Sequence, residues 1–193
     1  REGQSLLAIV SAQRDQIEDT FVSRDLVVLQ LRPLAPPGRW RDEQLREVPA
    51  ADMAVSASHT SDRLALMFDG NRNTRWFTGV RQTGDEWIEL RFDRPRAVGR
   101  VRFAVTPRSM GDYPRRLLVE SSRDEGVYDA IEYEDVVMPE LMRGIARSTG
   151  TVFLDIDLRG NPSRGLRLRQ LGETRVWYWS VDELSLWEGQ VER

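Results

Sequence analysis

The sequence predicts an all-β protein, an antiparallel β-sandwich over residues 48–193 preceded by a short βαβ-like piece at residues 1–34 and a linker at 35–47. Three observations carry this. From residue 48 onward, short runs swap apolar and polar side chains at every position, as in Trp87-Ile88-Glu89-Leu90-Arg91-Phe92 and Leu166-Arg167-Leu168-Arg169-Gln170-Leu171. Alternation with period two buries one face and wets the other, as antiparallel sheets require. Turn-forming clusters separate the runs, among them Asp93-Arg94-Pro95, Pro107-Arg108-Ser109-Met110-Gly111-Asp112 and Gly160-Asn161-Pro162-Ser163. The first 34 residues follow a different pattern, with one apolar run on either side of a helical spacing.

In that N-terminal piece, Ser5-Leu6-Leu7-Ala8-Ile9-Val10 suits a buried strand. Residues 12–23 carry Ile17, Phe21 and Val22 at the spacing of a helix, and residues 26–31 form a second β-rich run. A strand, helix and strand of this size cannot bury both faces alone. Arg32-Pro33-Leu34-Ala35-Pro36-Pro37-Gly38 denies both helix and ladder hydrogen bonds and reads as linker. Strands are then expected at residues 53–58, 86–92, 98–106, 116–122, 132–137, 151–158, 165–171 and 178–187, which together make a sandwich or jelly roll. The acidic stretch Glu132-Tyr133-Glu134-Asp135 reads as a solvated strand face, and no internal repeat is present.

Composition closes off much familiar chemistry. The 193 residues include 28 basic side chains, every one Arg, with no Cys and a single His, His59. Without Cys there are no disulfides or thiolate metal sites, and without Lys no phosphate-loop or Schiff-base lysine. His59 has no Ser and Asp partners at triad spacing, and no nucleophile elbow or dinucleotide loop appears. The net charge of -3, with signs interspersed, argues against a nucleic-acid partner. The longest apolar stretches fall far short of the roughly 20 residues of a membrane span. The absence of Lys reads as the coding bias of a GC-rich, bacterial genome. A chain beginning at Arg1 without a signal sequence is expected to be a piece of a longer parent polypeptide.

The densest cluster of oxygen donors is Phe68-Asp69-Gly70-Asn71-Arg72-Asn73-Thr74-Arg75-Trp76. Asp-Gly-Asn tolerates the backbone of a tight turn. The same pattern suits either a plain Asx-type turn or a hard cation wanting six to eight oxygens. This segment resembles the "DGN-x-x-T-x-W" loop of the discoidin domains, also called coagulation-factor C-type domains, which belong with the galactose-binding-like carbohydrate-binding modules. Five further segments fall in the family's order: Val55-Ser56-Ala57-Ser58, Glu86-Trp87-Ile88-Glu89-Leu90, the stretch from Tyr113-Pro114 to Ser122-Arg123-Asp124, Arg164-Gly165-Leu166-Arg167-Leu168, and Ser180-Val181-Asp182-Glu183-Leu184-Ser185-Leu186.

The resemblance covers residues 50–188 and implies an eight-stranded antiparallel jelly roll. It also implies a structural Ca²⁺ among the Phe68 carbonyl, Asp69, Asn71, Thr74 and Glu183, and core positions for Trp76, Trp87, Trp187 and Tyr113. The missing Cys points to bacterial sugar-binding members, which mostly lack the disulfide of animal ones. Family members bind through loops at one end of the sandwich. Here those loops offer Phe77 and Arg81 after the oxygen-rich turn, Arg108 in a "T-P-R" turn, Trp177 and Tyr178 before the last strand, and His59 after the first. Alternation puts one of Trp177 and Trp179 at the rim, and Arg108 could instead pair with Asp112. An aromatic face for a pyranose and convergent polar groups for its hydroxyls suit a glycan. The function expected is a non-catalytic module recognising a glycan or cell-envelope polysaccharide, extracytoplasmic in location. The alternatives are an accessory domain of a larger carbohydrate-active enzyme, or protein or lipid-headgroup adhesion through an apolar spike such as Met110. Residues 139–150 are longer than the family pattern needs and carry no functional reading.

Overall fold

The computed structural model describes residues 17–22, 27–31, 40–123, 126–148 and 150–189. The chain divides into two units, Arg1–Gly38 and Arg39–Arg193. In the first, β1 (Ile17–Val22) and β2 (Val27–Leu31) form an antiparallel hairpin with Val22 opposite Val27. This corrects the helix expected over residues 12–23 for its described part, residues 17–22; the rest of that span lies outside the described residues. Three apolar residues are too few to define a helical face, and Thr20, Phe21 and Val22 favour extended backbone. The strand expected at residues 5–10 and the Pro-rich stretch at 32–38 lie outside the described residues.

The second unit is the sandwich. Its first sheet has five antiparallel strands: β4 (Met53–Ala57), β6 (Trp87–Arg96), β11 (Ser163–Gln170), β8 (Arg116–Ser122) and β9 (Ala130–Val136), in that order. The second sheet orders β10 (Val152–Asp157), β7 (Val98–Val105), β13 (Glu183–Gly189) and β3 (Leu45–Glu47). The alternation read from the sequence sets which side chains meet. Ile88, Leu90, Leu166 and Leu168 from one sheet join Val101, Phe103, Leu184 and Leu186 from the other in a single core. A two-stranded ribbon, β5 (Trp76–Arg81) with β12 (Tyr178–Val181), is the third sheet. The strand expected at 178–187 is therefore two, broken at the buried Asp182.

The sandwich also starts earlier than residue 48. Trp40 donates its indole N–H to the Leu158 carbonyl at 3.0 Å. Its ring lies against Gly99, Gly160 and Gly189, where any Cβ would fall within 2.7 Å of it. Arg100 then binds Asp42, and β3 pairs with β13. The segment expected to be linker at 35–47 is thus sandwich from Trp40 onward, because one large aromatic fills a slot that three glycines leave open. The connection at 139–150 contains α1 (Met138–Arg147). Proline in its first turn and Gly144 fit it for this place. A Cβ on Gly144 would come within 2.3 Å of Val152 Cγ1, so only glycine lets the helix rest on β10. Glu132, expected in solvent, is buried and accepts hydrogen bonds from Ser121 Oγ at 2.7 Å and Asn161 Nδ2 at 2.9 Å. A break in register between Val119 and Glu120 sets it out of the alternation.

Charged side chains lie over the outer face of the five-stranded sheet. Glu89, itself buried, accepts from Arg91 Nε at 2.9 Å and from Arg167 Nη2 at 2.8 Å. Burial alone would raise its pKa, but the two guanidinium groups outweigh burial and hold it below the usual carboxylate value. Its stabilising effect is therefore complete above the unfolded pKa, about 4.3, and fades as pH falls through the folded value. Glu89→Gln is expected to lower the melting temperature by a few degrees at pH 7 and by much less at pH 3. Equal losses at both pH values would mean that packing, not charge, is what Glu89 supplies.

Candidate functional site

The oxygen-rich turn forms as an Asx turn. Asp69 Oδ1 accepts from the Asn71 N–H at 2.8 Å, and Asn71 Oδ1 accepts from the Asn73 N–H at 3.1 Å. Thr74 Oγ1 lies 2.7 Å from Asp69 Oδ2 and 2.6 Å from the Asn71 carbonyl. Gly70 has φ +71°, the left-handed conformation that glycine adopts without cost. Phe68 ends the preceding 3₁₀ turn (Ser61–Met67) by donating to the Ala65 carbonyl at 3.1 Å. Glu183, at the start of β13, faces this turn. Burial, with Asp69 opposite, pushes Glu183 up to about 7, and its Oε1 is buried without a hydrogen-bond partner among the described residues. Asp69 itself is held low by the Thr74 hydroxyl and the Asn71 N–H.

A buried carboxylate with one unpartnered oxygen, on a side chain that interacts with a second carboxylate, is the donor chemistry a divalent cation suits. Among the described residues no three carboxylate or imidazole side chains converge. A cation here would rest on Asp69 and Glu183, two charges against two, with amide, hydroxyl and carbonyl oxygens of Asn71, Thr74 and Phe68 completing the shell. A cleft of about 390 Å³ opens beside the turn, lined by Phe68, Gly70, Arg72, Arg102, Phe153 and Glu183 among others.

Two residues past Thr74 the chain enters β5, and here the expectation of a loop over Trp76–Arg81 is corrected. These residues pair with β12, with Trp76 opposite Val181, Phe77 opposite Ser180 and Arg81 opposite Tyr178. The alternation of a strand then sorts the aromatics. Trp76 and Trp179 point inward at zero exposure and meet edge to face, ring centroids 5.6 Å apart. Phe77 and Tyr178 lie outside this pair with ring centroids 6.1 Å apart. Tyr178 is 41% exposed and Trp177 46% exposed. Arg63 and Arg75 stand over the Phe77 ring at 5.8 and 5.6 Å from its centroid.

Arg108 does not pair with Asp112. Its Nη2 donates to the Asn73 carbonyl at 2.7 Å, which lays the exposed side chain along the oxygen-rich turn. Asp112 is taken instead by Arg75, at 3.0 Å. The Thr106–Asp112 loop is fixed from inside. Buried Asp182 accepts from the Thr106 N–H at 2.7 Å and from Ser109 Oγ. Met110 packs against the core and is no apolar spike. Gly111 lies under Trp177, where a Cβ would come within 2.6 Å of the indole ring. His59 is half-buried, with Nδ1 2.8 Å from Ser58 Oγ and its carbonyl accepting from Trp76 Nε1 at 3.2 Å. Of the other aromatics expected in the core, Tyr113 is buried, whereas Trp87 and Trp187 are half-exposed on the outer sheet faces.

Thus the first strand's loop, the turn at 69–75, the loop at 106–112 and the ribbon converge. They gather Phe77, Tyr178, Trp177, Arg81 and Arg108, with His59 bonded through its backbone to Trp76. Arg81 and Arg175 flank an adjoining cleft of about 620 Å³ whose lining includes Gln82, Thr83, Glu173 and Thr174. Sequence reasoning missed Arg63, Arg75, Gln82 and Asp112. Arg63 enters from a 3₁₀ turn with no local signal. Gln82 is buried and donates to the Tyr113 and Tyr178 carbonyls at 3.0 and 2.6 Å, a role visible only once the ribbon exists. Gly111→Ala is expected to displace the exposed Trp177 ring, changing the near-ultraviolet circular dichroism while leaving the melting temperature within about two degrees. A large fall in melting temperature would mean that Trp177 is held rigidly and cannot give way.

In sequence the chain matches no protein-family model and no curated protein. In structure it is similar to the family 32 carbohydrate-binding module of NanJ from Clostridium perfringens, solved in complex with galactose. The identity is 16%, the match covers 75% of this chain and 99% of that one, and the TM-score is 0.55. It is also similar to the C. perfringens module CpGH89CBM32-5, in complex with GalNAc-β-1,3-galactose, at 15% identity, 73% and 99% coverage and a TM-score of 0.55. An F5/8 type C domain from Bacteroides fragilis matches at 16% identity, 77% and 99% coverage and a TM-score of 0.55. The chain has the discoidin-like jelly-roll fold of these domains.

Proposed function

We propose that the sandwich is a non-catalytic glycan-binding module whose ligand sits on the β5–β12 ribbon and its flanking loops, in a bacterial, extracytoplasmic protein. One observation carries the reading: exposed aromatic rings and unneutralised guanidinium groups share one end of the sandwich. Exposed Trp177 and Tyr178, with half-buried Phe77 beside them, offer apolar faces to the C–H side of a pyranose, and Arg81, Arg108 and the His59 imidazole offer donors to its hydroxyls. That solved domains of this fold hold galactose and GalNAc-β-1,3-galactose supports the assignment. Among the described residues the carboxylate pair pushed apart at this end, Asp69 held low and Glu183 raised to about 7, is the pair read as the cation site. Asp112 and Asp182 are buried in structural hydrogen bonds, so a catalytic role is not proposed.

A structural Ca²⁺ between Asp69 and Glu183 is part of the same reading. It would relieve the opposition of the two carboxylates and fix the turn that leads into β5. At about a hundredfold excess over Kd, Ca²⁺ is expected to stabilise the protein by about 2.7 kcal/mol relative to chelator. Asp69→Ala should abolish the difference. An unmoved melting temperature in the unaltered protein would overturn the calcium assignment.

For the glycan itself, an array of plant, host and bacterial glycans is expected to return hits that Arg108→Ala or Trp177→Ala weakens about tenfold or more. No hit across the array would overturn glycan binding and favour an accessory domain packed on a parent enzyme.

A further inference from the structure

Arginines stand in and beside the loops around the ribbon. In a protein of net charge -3, five arginines gather there: Arg63, Arg75, Arg81, Arg108 and Arg175. Only Arg75 has a close carboxylate, Asp112 at 3.0 Å, and that carboxylate is buried. Arg63 meets Asp62 at 3.9 Å with both side chains in solvent, a contact worth little. Arg108 spends one donor on the Asn73 carbonyl, and among the described residues neither Arg81 nor Arg175 has an ion-pair partner. Among the described residues Glu173 is the one carboxylate lining the cleft between Arg81 and Arg175, so the described lining keeps a positive balance.

A guanidinium serves the hydroxyls of a neutral sugar, but without a carboxylate partner it gains more from an anionic group, because a charge-assisted hydrogen bond between ions is stronger than one to a neutral acceptor. Buried arginines of this chain are neutralised, as Arg96 is by Asp52 and Asp93 at 2.7 and 2.8 Å, whereas Arg81, Arg108 and Arg175 are exposed and share this end with exposed aromatic rings. An aromatic ledge selects a ring with a C–H face, and an unpaired planar fork selects a carboxylate, which it can bind through two parallel hydrogen bonds. A sugar ring bearing a carboxylate satisfies both. The cleft volume of about 620 Å³ lies within the usual range for small-ligand sites.

Resting on the glycan-binding reading, we propose that the ligand is a uronic-acid saccharide, with its pyranose ring on the exposed Tyr178 ring and its carboxylate held between Arg81 and Arg175.

The test compares oligogalacturonate, oligomannuronate and hyaluronan oligosaccharides with their carboxyl-reduced counterparts by isothermal titration. At least one acidic saccharide is expected to bind tenfold or more tightly than its reduced form. That margin should shrink as salt rises from 20 to 500 mM, because exposed charges are screened over shorter distances. Charge reversal at exposed positions, Arg81→Glu and Arg175→Glu, should bring the acidic-to-reduced ratio toward one, with folding checked by thermal melting. Equal affinity for acidic and reduced forms in the unaltered protein would overturn the uronate assignment and leave glycan binding standing. Binding to neither form, with an empty glycan array, would overturn both.

Discussion

The site depends on a carboxylate that the fold has taken out of water. Asp112 is 5% exposed and pairs with Arg75 at 3.0 Å, while Ser180 Oγ lies 3.2 Å away and the Ser180 N–H donates to the Asp112 carbonyl at 3.0 Å. Burial pushes its pKa up, and Arg75 and the Ser180 hydroxyl pull against that. A buried charge must be partnered, and removing one partner of such a pair typically costs about 3–5 kcal/mol. One residue therefore ties the turn at 69–75, the loop at 106–112 and the last ribbon strand into a fixed arrangement. Arg75, held by Asp112, is then fixed over Phe77, and Gly111, beside Asp112, underlies Trp177. Neighbouring Asp182 does the same work from below, through Thr106 and Ser109.

Above this carboxylate the ribbon decides what is offered to solvent. Trp76 and Trp179 fill the interior, and strand geometry then forces Phe77 and Tyr178 outward. Each aromatic's role follows from its place in the alternation. The oxygen-rich turn ends two residues before Trp76, so whatever orders Asp69, Asn71 and Thr74 also sets where β5 begins. The turn and the ledge are in this sense one mechanical unit: anchoring the first positions the second. A rigid ledge loses little side-chain freedom on binding, which favours affinity from modest contact area.

Most of the sandwich was legible in the sequence because its signal is period-two alternation, and alternation also sets which face of each strand is buried. What alternation could not convey was where backbones pair without it. β3 is three residues with no pattern, recognisable only through its partner β13 and the Trp40 slot upstream. β5 carries no strand signal because Thr78-Gly79-Val80-Arg81 lacks an apolar face, yet Gln82, donating to distant carbonyls, holds it in the ribbon. Helix α1 shows its reason only in three dimensions, where Gly144 admits Val152. The N-terminal hairpin was misread because three apolar residues fit either period. The candidate binding residues were legible by type, as aromatics and arginines in loops, but their company was not. Nothing local to Arg63 or Asp112 says that one will stand over Phe77 and the other hold Arg75.

The most direct measurement is an amide chemical-shift map of the isotopically labelled protein titrated with a galacto-oligosaccharide and with oligogalacturonate. Ligand on the ribbon predicts the largest shifts at Phe77, Arg81, Gly111, Trp177 and Tyr178, with the strands of the far sheet edge, such as Ile131 and Glu134 of β9, unmoved. Shifts centred instead on the outer face of the four-stranded sheet, at Phe153, Arg102 and Ser185, would contradict the account by placing the ligand where neither the ribbon nor Asp112 could govern it.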